Sequence, residues 1–227
     1  MSKDFIQLEP SMIAADWAKL GEEAALCRDA GVEILHLDVM DGQFVPNLTM
    51  GPDVVSAIKR NAGDVILDIH LMIYAPEQFV EAFVKSGANE ITFHLEATEE
   101  VEHIIEYIRK CNCKVGLAIK PETSVSLILK YLDKVDKILI MTVEPGFGGQ
   151  AFMEKMLDKV RFLREQAEKC GIRVDIQVDG GIDLETAEKS ILAGANRLVC
   201  GTYFFKYPDR KEVVNKFNEL RKLREFK

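Results

Sequence analysis

The sequence predicts an α/β protein, a single (β/α)8 barrel with parallel strands, and three observations predict it. Short β-prone apolar runs recur eight times along the chain. A stretch with helical period follows each run. Strict strand–helix alternation calls for a parallel sheet with right-handed crossovers. A doubly wound open sheet would carry a Gly-x-Gly-x-x-Gly turn after an early strand, and none is present.

The eight expected strands are 5–8, 34–39, 65–69, 90–93, 114–119, 137–143, 173–178 and 196–200, at intervals of about 23 to 36 residues. After the first, Trp17, Leu20 and Ala24 fall on one helical face, with Asp16 as N-cap. After the third, Pro76 suits the first turn of a helix. Thr98 is the N-cap expected before the stripe Val101, Ile104, Ile105, Ile108. Thr123 is the cap expected after the fifth strand. After the sixth, Met153, Met156, Leu157, Val160 and Leu163 form a stripe, and Asp183 caps the helix after the seventh. Ala30-Gly31-Val32, Ser86-Gly87-Ala88 and Ala193-Gly194-Ala195 each sit between a helix and a strand, where glycine suits a left-handed helix end.

No Pro/Gly/Ser-rich linker or charge block divides the 227 residues, so one domain spanning 1–227 is expected. The chain is 48% hydrophobic and 29% charged, a globular composition. Its longest apolar runs fall far short of the roughly 20 residues of a spanning helix. No charged, apolar leader is seen at the start, and the expected compartment is the cytoplasm. With 37 acidic against 29 basic residues the formal charge is −8, which argues against nucleic acid or an anionic membrane as partner. The five cysteines, Cys27, Cys111, Cys113, Cys170 and Cys200, include no Cys-x-x-Cys pair, so reduced thiols are expected.

In such a barrel the chemistry lies at the C-terminal ends of the strands. The second strand ends His36-Leu37-Asp38-Val39-Met40 and the third Asp68-Ile69-His70-Leu71-Met72. Alternation puts His36, Asp38 and Met40 on one face, and Asp68, His70 and Met72 on another. The seventh strand adds Asp179. Several charges buried together without a counter-ion are costly, and one divalent cation removes the cost. A set of His36, Asp38, His70 and Asp179 suits zinc, iron(II), manganese or cobalt alike. Asp68 lies deeper and Asp41 has passed into a loop, so neither is read as a ligand. His94 and Glu96 share a face and are expected to give hydrogen-bond support.

Glycine-rich turns follow the sixth, seventh and eighth strands: Gly146-Phe147-Gly148-Gly149, Gly180-Gly181 and Gly201-Thr202. Backbone N–H groups can approach an anion there, as at the phosphate site usual for this barrel. Met12, Met40, Met72 and Met141 fall near strand ends, an apolar collar that excludes water. A cation site beside a phosphate grip implies a small sugar phosphate. Asp38 and Asp179, three strands apart around the ring, approach such a ligand from opposite faces. One removes a proton beside a carbonyl and the other returns one to the far side, through an enediolate.

Pro10-Ser11, His36-Leu37-Asp38-Val39-Met40-Asp41-Gly42 with Phe44-Val45-Pro46-Asn47, His70-Leu71-Met72, Phe93-His94-Leu95-Glu96-Ala97, Val143-Glu144-Pro145-Gly146-Phe147-Gly148-Gly149-Gln150 and Val178-Asp179-Gly180-Gly181 closely resemble the ribulose-phosphate 3-epimerase family, over nearly the whole chain. The resemblance implies a metal-dependent enzyme that interconverts D-ribulose 5-phosphate and D-xylulose 5-phosphate in the pentose phosphate pathway. It implies His36, Asp38, His70 and Asp179 as metal ligands, with Asp38 and Asp179 as the acid/base pair. Ser11 and His70 are then expected to contact substrate, and Met40, Met72 and Met141 to line the pocket. Gly146, Phe147, Gly148, Gly149, Gly180, Gly181, Gly201 and Thr202 take the phosphate end. The family also implies a homo-oligomer. Gln43 stands where the family often has His, and Gly201-Thr202 where Gly-Ser is common; Tyr203-Phe204-Phe205 is bulkier than expected.

Rival readings are a D-allulose 6-phosphate epimerase on the same scaffold, toward which Gly201-Thr202 leans, and a sugar-phosphate aldolase or decarboxylase. The latter needs a catalytic lysine, and Lys120 is the rim candidate. A metallohydrolase barrel lacks its His-x-His, since the first strand ends Pro10-Ser11-Met12. A sugar-phosphate binder without turnover has no reason to keep both carboxylates and both histidines.

Overall fold

The computed structural model describes residues 6–224. Eight strands run β1 (Gln7–Pro10), β2 (Ile34–Met40), β3 (Ile66–Met72), β4 (Glu90–His94), β5 (Lys114–Ile119), β6 (Lys137–Met141), β7 (Asp175–Asp179) and β8 (Arg197–Cys200). All seven ladders are parallel, in the order β1-β8-β7-β6-β5-β4-β3-β2. The isolated parallel bridge Ser11↔His36 brings β1 against β2 and closes the ring.

Helices α1 (Leu20–Asp29), α2 (Pro52–Ala62), α3 (Val80–Lys85), α4 (Val101–Lys110), α5 (Leu157–Lys169), α6 (Leu184–Ala193), α7 (Thr202–Lys206) and α8 (Arg210–Glu219) surround it. The stripe of α4 is fully inward: Val101, Ile104, Ile105 and Ile108 are its buried residues. Asp183 caps α6 through a capping box with Thr186, and Gly194 ends that helix in the left-handed region, φ 116°. Among the described residues no helix is long and apolar enough to cross a membrane.

Several boundaries differ from expectation for one reason: the strands extend through polar residues that the barrel interior accepts. β1 is Gln7–Pro10 rather than 5–8, because Gln7 and Glu9 point into a charged interior layer; Phe5 lies outside the described residues. β3 and β7 continue to Met72 and Asp179, carrying the rim residues with them. No α-helix follows β5. The connection is a 3-10 helix, Val125–Tyr131, whose buried Ile128 and Tyr131 are three apart, the period of that helix. Trp17 is exposed in a 3-10 turn, where Asp16 caps it by accepting from the Ala18 N–H, so Ala24 and Cys27 anchor α1 instead. Thr98 and Thr123 are not N-caps; those positions are Glu100 and Ser124.

The outward faces of the strands join the helices in the main apolar core, as with Leu37, Ile69, Phe93, Leu117 and Val178. The inward faces are polar low in the barrel. Lys137 forms an ion pair with Asp68 there and lies 3.5 Å from Glu90. Arg197 pairs with Glu9 and, at 2.6 Å, with Glu90. Three carboxylates are thus answered by two fixed cations, all buried. Burial of isolated charges costs far more than burial of such a paired set.

Candidate metal and substrate site

Above that layer the charge balance changes. His36 and Asp38 on β2, His70 on β3 and Asp179 at the end of β7 turn donor atoms to one point, all within 4.8 Å of one another. His36 Nε2 lies 3.3 Å from Asp38 Oδ1 and 3.4 Å from His70 Nδ1. His70 Nδ1 lies 3.2 Å from Asp38 Oδ1. Asp179 Oδ2 is 3.9 Å from His36 Nε2 and 3.7 Å from His70 Nδ1. Register explains the convergence: His36 pairs with Asp68 and Asp38 with His70 across β2/β3, so ligand types alternate between the two strands at matching depth.

A divalent cation fits these residues. A tetrahedral set with bonds of about 2.0–2.1 Å has edges of about 3.3–3.4 Å, close to the 3.2–3.4 Å among His36, Asp38 and His70, with Asp179 further out at 3.7–3.9 Å. Among the described residues no lysine or arginine pairs with Asp38 or Asp179, in contrast to the layer below. A second carboxylate–imidazole group, Glu9, His36 and Asp68, is also close enough to ligate, but Arg197 and Lys137 already occupy its carboxylates. Each of these imidazoles is also held from behind. His36 Nδ1 meets Asp68 Oδ2 at 2.9 Å, and His70 Nε2 meets His94 Nε2 at 2.9 Å. Such outer contacts fix ring orientation in metal sites.

The two aspartates titrate in opposite directions. Burial opposes ionisation of Asp38, but the His36 charge and the close His36 and His70 ring nitrogens hold its carboxyl well below the usual range. Burial, then the Asp38 carboxylate beside it, pushes Asp179 up to about 7. Burial also works against a charged His36, yet the Asp38 and Asp68 carboxylates raise its pKa well above the ordinary value. Burial brings His70 down to about 4. Burial and two close unlike neighbours therefore separate groups of the same type.

A cavity of about 320 Å³ opens over this point. Its wall includes Ser11, Asp38, Met40, Met72, Met141, Gly146, Phe147, Gly148, Gly149, Asp179, Gly180, Gly181, Gly201 and Thr202. His36 and His70 are fully buried and are not part of the wall. Met12 is also fully buried and off the wall, so its place in the methionine collar is corrected: it packs in the core. The late loops meet at one end. A Cβ built on Gly149 lies 3.8 Å from Thr202 Oγ1, and one on Gly201 lies 3.7 Å from the Ser11 side chain. Gly181 has φ 68°, and a Cβ there would stand 2.7 Å from the Phe152 nitrogen, so this tight turn admits no larger residue without displacement.

Several contributors escaped the sequence reading. Thr142 Oγ1 lies 2.8 Å from the carbonyl oxygen of Asp179 and 2.7 Å from that of Gly180, bracing the turn that presents Asp179. Asn47 donates to the Gly146 carbonyl at 2.7 Å and ties the β2 loop to the β6 loop. Lys120 is not on the cavity wall; its ammonium lies 3.7 Å over the Phe44 ring. The lysine on the wall is Lys206, at the end of α7. Asp41 accepts from the N–H groups of Gln43, Phe44 and Tyr74 and so organises its loop.

A barrel whose rim joins a two-histidine, two-aspartate donor set to a cavity edged by glycine loops belongs to the class of (β/α)8 enzymes that act on small ligands at the strand ends. Among solved structures, the fold is shared with "KGPDC from Streptococcus mutans" (TM-score 0.72, 14% identity, 96% of this chain and 98% of that one) and with "3-Hexulose-6-Phosphate Synthase" (TM-score 0.69, 17% identity, 95% and 99%). Residues 7–205 match the sequence model of the ribulose-phosphate 3 epimerase family. Proteins named ribulose-phosphate 3-epimerase from Chlamydia muridarum (strain MoPn / Nigg) and Escherichia coli (strain K12) are 46% and 39% identical, each over 217 residues. The alignments cover 95% of this chain and 93% and 96% of those proteins. The chain belongs to the ribulose-phosphate 3-epimerase family, and it is an enzyme.

Proposed function

We propose that the enzyme inverts C3 of a phosphorylated ketose, interconverting D-ribulose 5-phosphate and D-xylulose 5-phosphate, with Asp38 and Asp179 as its acid/base pair. The observation that carries this reading is that two carboxyls three strands apart around the ring, Asp38 on β2 and Asp179 on β7, meet at one cavity wall beside two buried imidazoles.

Asp38 takes the proton from C3 in one direction, while Asp179 gives a proton to the opposite face of the resulting enediolate; the roles exchange in reverse. His36, Asp38, His70 and Asp179 are the residues that would hold one divalent cation, whether zinc, iron(II), manganese or cobalt. When bound, that cation supplies Lewis-acid stabilisation of the negative charge developing on the ketose oxygens. Ser11 contacts the substrate beside Asp38, and Met40, Met72 and Met141 exclude water around the reacting carbon. The turns at Gly146, Phe147, Gly148 and Gly149, at Gly180 and Gly181, and at Gly201 and Thr202 grip the phosphate.

Turnover of D-ribulose 5-phosphate in D₂O, followed by NMR, tests the reading. Deuterium is expected at C3 of the epimer. Epimer formed with no deuterium at C3 would sink the two-carboxylate mechanism. A higher kcat/KM on D-allulose 6-phosphate would overturn the substrate assignment and leave the mechanism standing.

A further inference from the structure

We propose that Glu96 and His94 are positioning residues that fix the tautomer of His70, leaving its Nδ1 lone pair free to face the cation site. The inference deepens the proposed cation site and rests on that reading.

A chain of hydrogen positions runs from Glu96 through His94 to His70. Glu96 follows β4 and is braced by two donors at one oxygen: Oε1 accepts from the Lys120 backbone N–H at 2.8 Å and from the Thr123 hydroxyl. Its other oxygen lies 3.2 Å from His94 Nδ1. An ionised carboxylate only accepts, so the hydrogen between them sits on His94 Nδ1. A neutral His94 then carries a lone pair on Nε2. His70 Nε2 stands 2.9 Å from that atom, and one hydrogen must lie between two nitrogens that close. His94 has none to give there, so His70 Nε2 donates. A neutral His70 is therefore bare at Nδ1, the atom 3.2 Å from Asp38 and 3.7 Å from Asp179.

His36 obeys the same rule by a shorter route. Asp68 takes the hydrogen of His36 Nδ1 directly, so a neutral His36 is bare at Nε2. The two imidazoles offer different nitrogens, and each is set by a carboxylate behind it, one ring closer for His36 than for His70. Thr123 and the Lys120 backbone come from the connection after β5, so this loop takes part in the site without touching it.

Glu96→Gln separates the relay from mere packing. The Lys120 N–H cannot accept, so the new amide must turn its oxygen there and its NH₂ toward His94. His94 then accepts at Nδ1, donates from Nε2, and forces the hydrogen of His70 onto Nδ1. The chain has four histidines, few enough to resolve by ¹⁵N NMR of their ring nitrogens in metal-stripped protein. The parent is expected to show His94 as the Nδ1–H tautomer and His70 as the Nε2–H tautomer, with both reversed in Glu96→Gln. Cobalt(II) affinity, read by competition with a chromophoric chelator, is expected to fall by about 10–100-fold in that variant. Thr123→Val keeps the carboxylate and is expected to keep the parent tautomers and affinity.

Unchanged tautomers in Glu96→Gln overturn the proposal, even where affinity falls, since that loss is then structural. Reversed tautomers with parental cobalt affinity overturn it too. A parent that fails to bind cobalt removes the cation site of the preceding reading, and the relay as a device for ligation with it. The tautomers of the metal-stripped parent then still report whether Glu96 sets His70.

Discussion

The Ser11 hydroxyl donates a 2.6 Å hydrogen bond to Asp38 Oδ2 across the seam where β1 meets β2. Both residues are buried, and both reach the cavity. One oxygen of Asp38 thus faces the two imidazoles and the other is claimed by serine, so the carboxylate has one orientation.

Replacing Ser11 by alanine removes that restraint. A hydrogen bond to a charged group contributes about 1.5–3 kcal/mol, so kcat/KM is expected to fall by about 10–100-fold. Steady-state kinetics checks this, with thermal denaturation to show that the variant folds. A kcat/KM indistinguishable from the parent would mean that Asp38 needs no help from Ser11.

Asp38→Asn and Asp179→Asn each remove one proton carrier. Each is expected to lower kcat by at least about 10²–10⁴, the span of a lost general acid or base. Near-parental turnover in either variant ends the assignment of that residue.

Removal of the cation tests the donor set as a whole. Treatment with a strong chelator is expected to abolish activity, and adding back zinc, iron(II), manganese or cobalt to restore it. Elemental analysis of the treated protein completes the measurement. Full activity in demonstrably metal-free protein would take the cation out of the account.

Lys137→Met targets the layer beneath. It leaves Asp68 and Glu90 short of one of their cations, and breaking a buried pair in this way costs about 3–5 kcal/mol. Urea denaturation should show a lower midpoint. A loss no greater than that of a surface substitution, about 0.5 kcal/mol, would contradict the pairing.

Glu96 gives a pH signature. Burial raises its pKa, but His94 and then Thr123 and the Lys120 N–H bring it down to about 2 from 4.5. A carboxyl depressed by folding contributes stability that is present above 4.5 and lost as pH falls toward about 2. Between pH 6 and 3, urea midpoints of the parent should therefore drop more steeply than those of Glu96→Gln. Parallel curves for the two proteins would rule this out.

The candidate ligands are legible in the sequence because strands have a period of two. His36-x-Asp38 and Asp68-x-His70 declare their faces without any knowledge of the neighbouring strand. Asp68 was readable as deeper, but its partners Lys137 and Gln177 were not, because they come from β6 and β7 and only the register of the closed ring brings them together. The polar interior hid a strand end for the same reason: Glu9 looks like a loop residue until Gln177 and Arg197 are placed opposite. Thr123 reads as a cap in the sequence, but its hydroxyl serves Glu96 from another strand's loop. Lys206 was missed because the direction of α7 after Gly201 decides whether it meets the cavity.

Strand β1 takes its whole ladder from β8, Gln7 against Arg197 through Pro10 against Cys200. During synthesis the first strand therefore waits for nearly the last one, and Asp179 is made long after His36, Asp38 and His70. A nascent or truncated chain lacking β8 leaves β1 without its ladder, held to β2 through the isolated Ser11–His36 bridge, so Ser11 steadies Asp38 less firmly. Catalysis in this protein is a property of the finished circle, so proteolysis or early termination anywhere before residue 197 should yield silent fragments rather than weak enzymes.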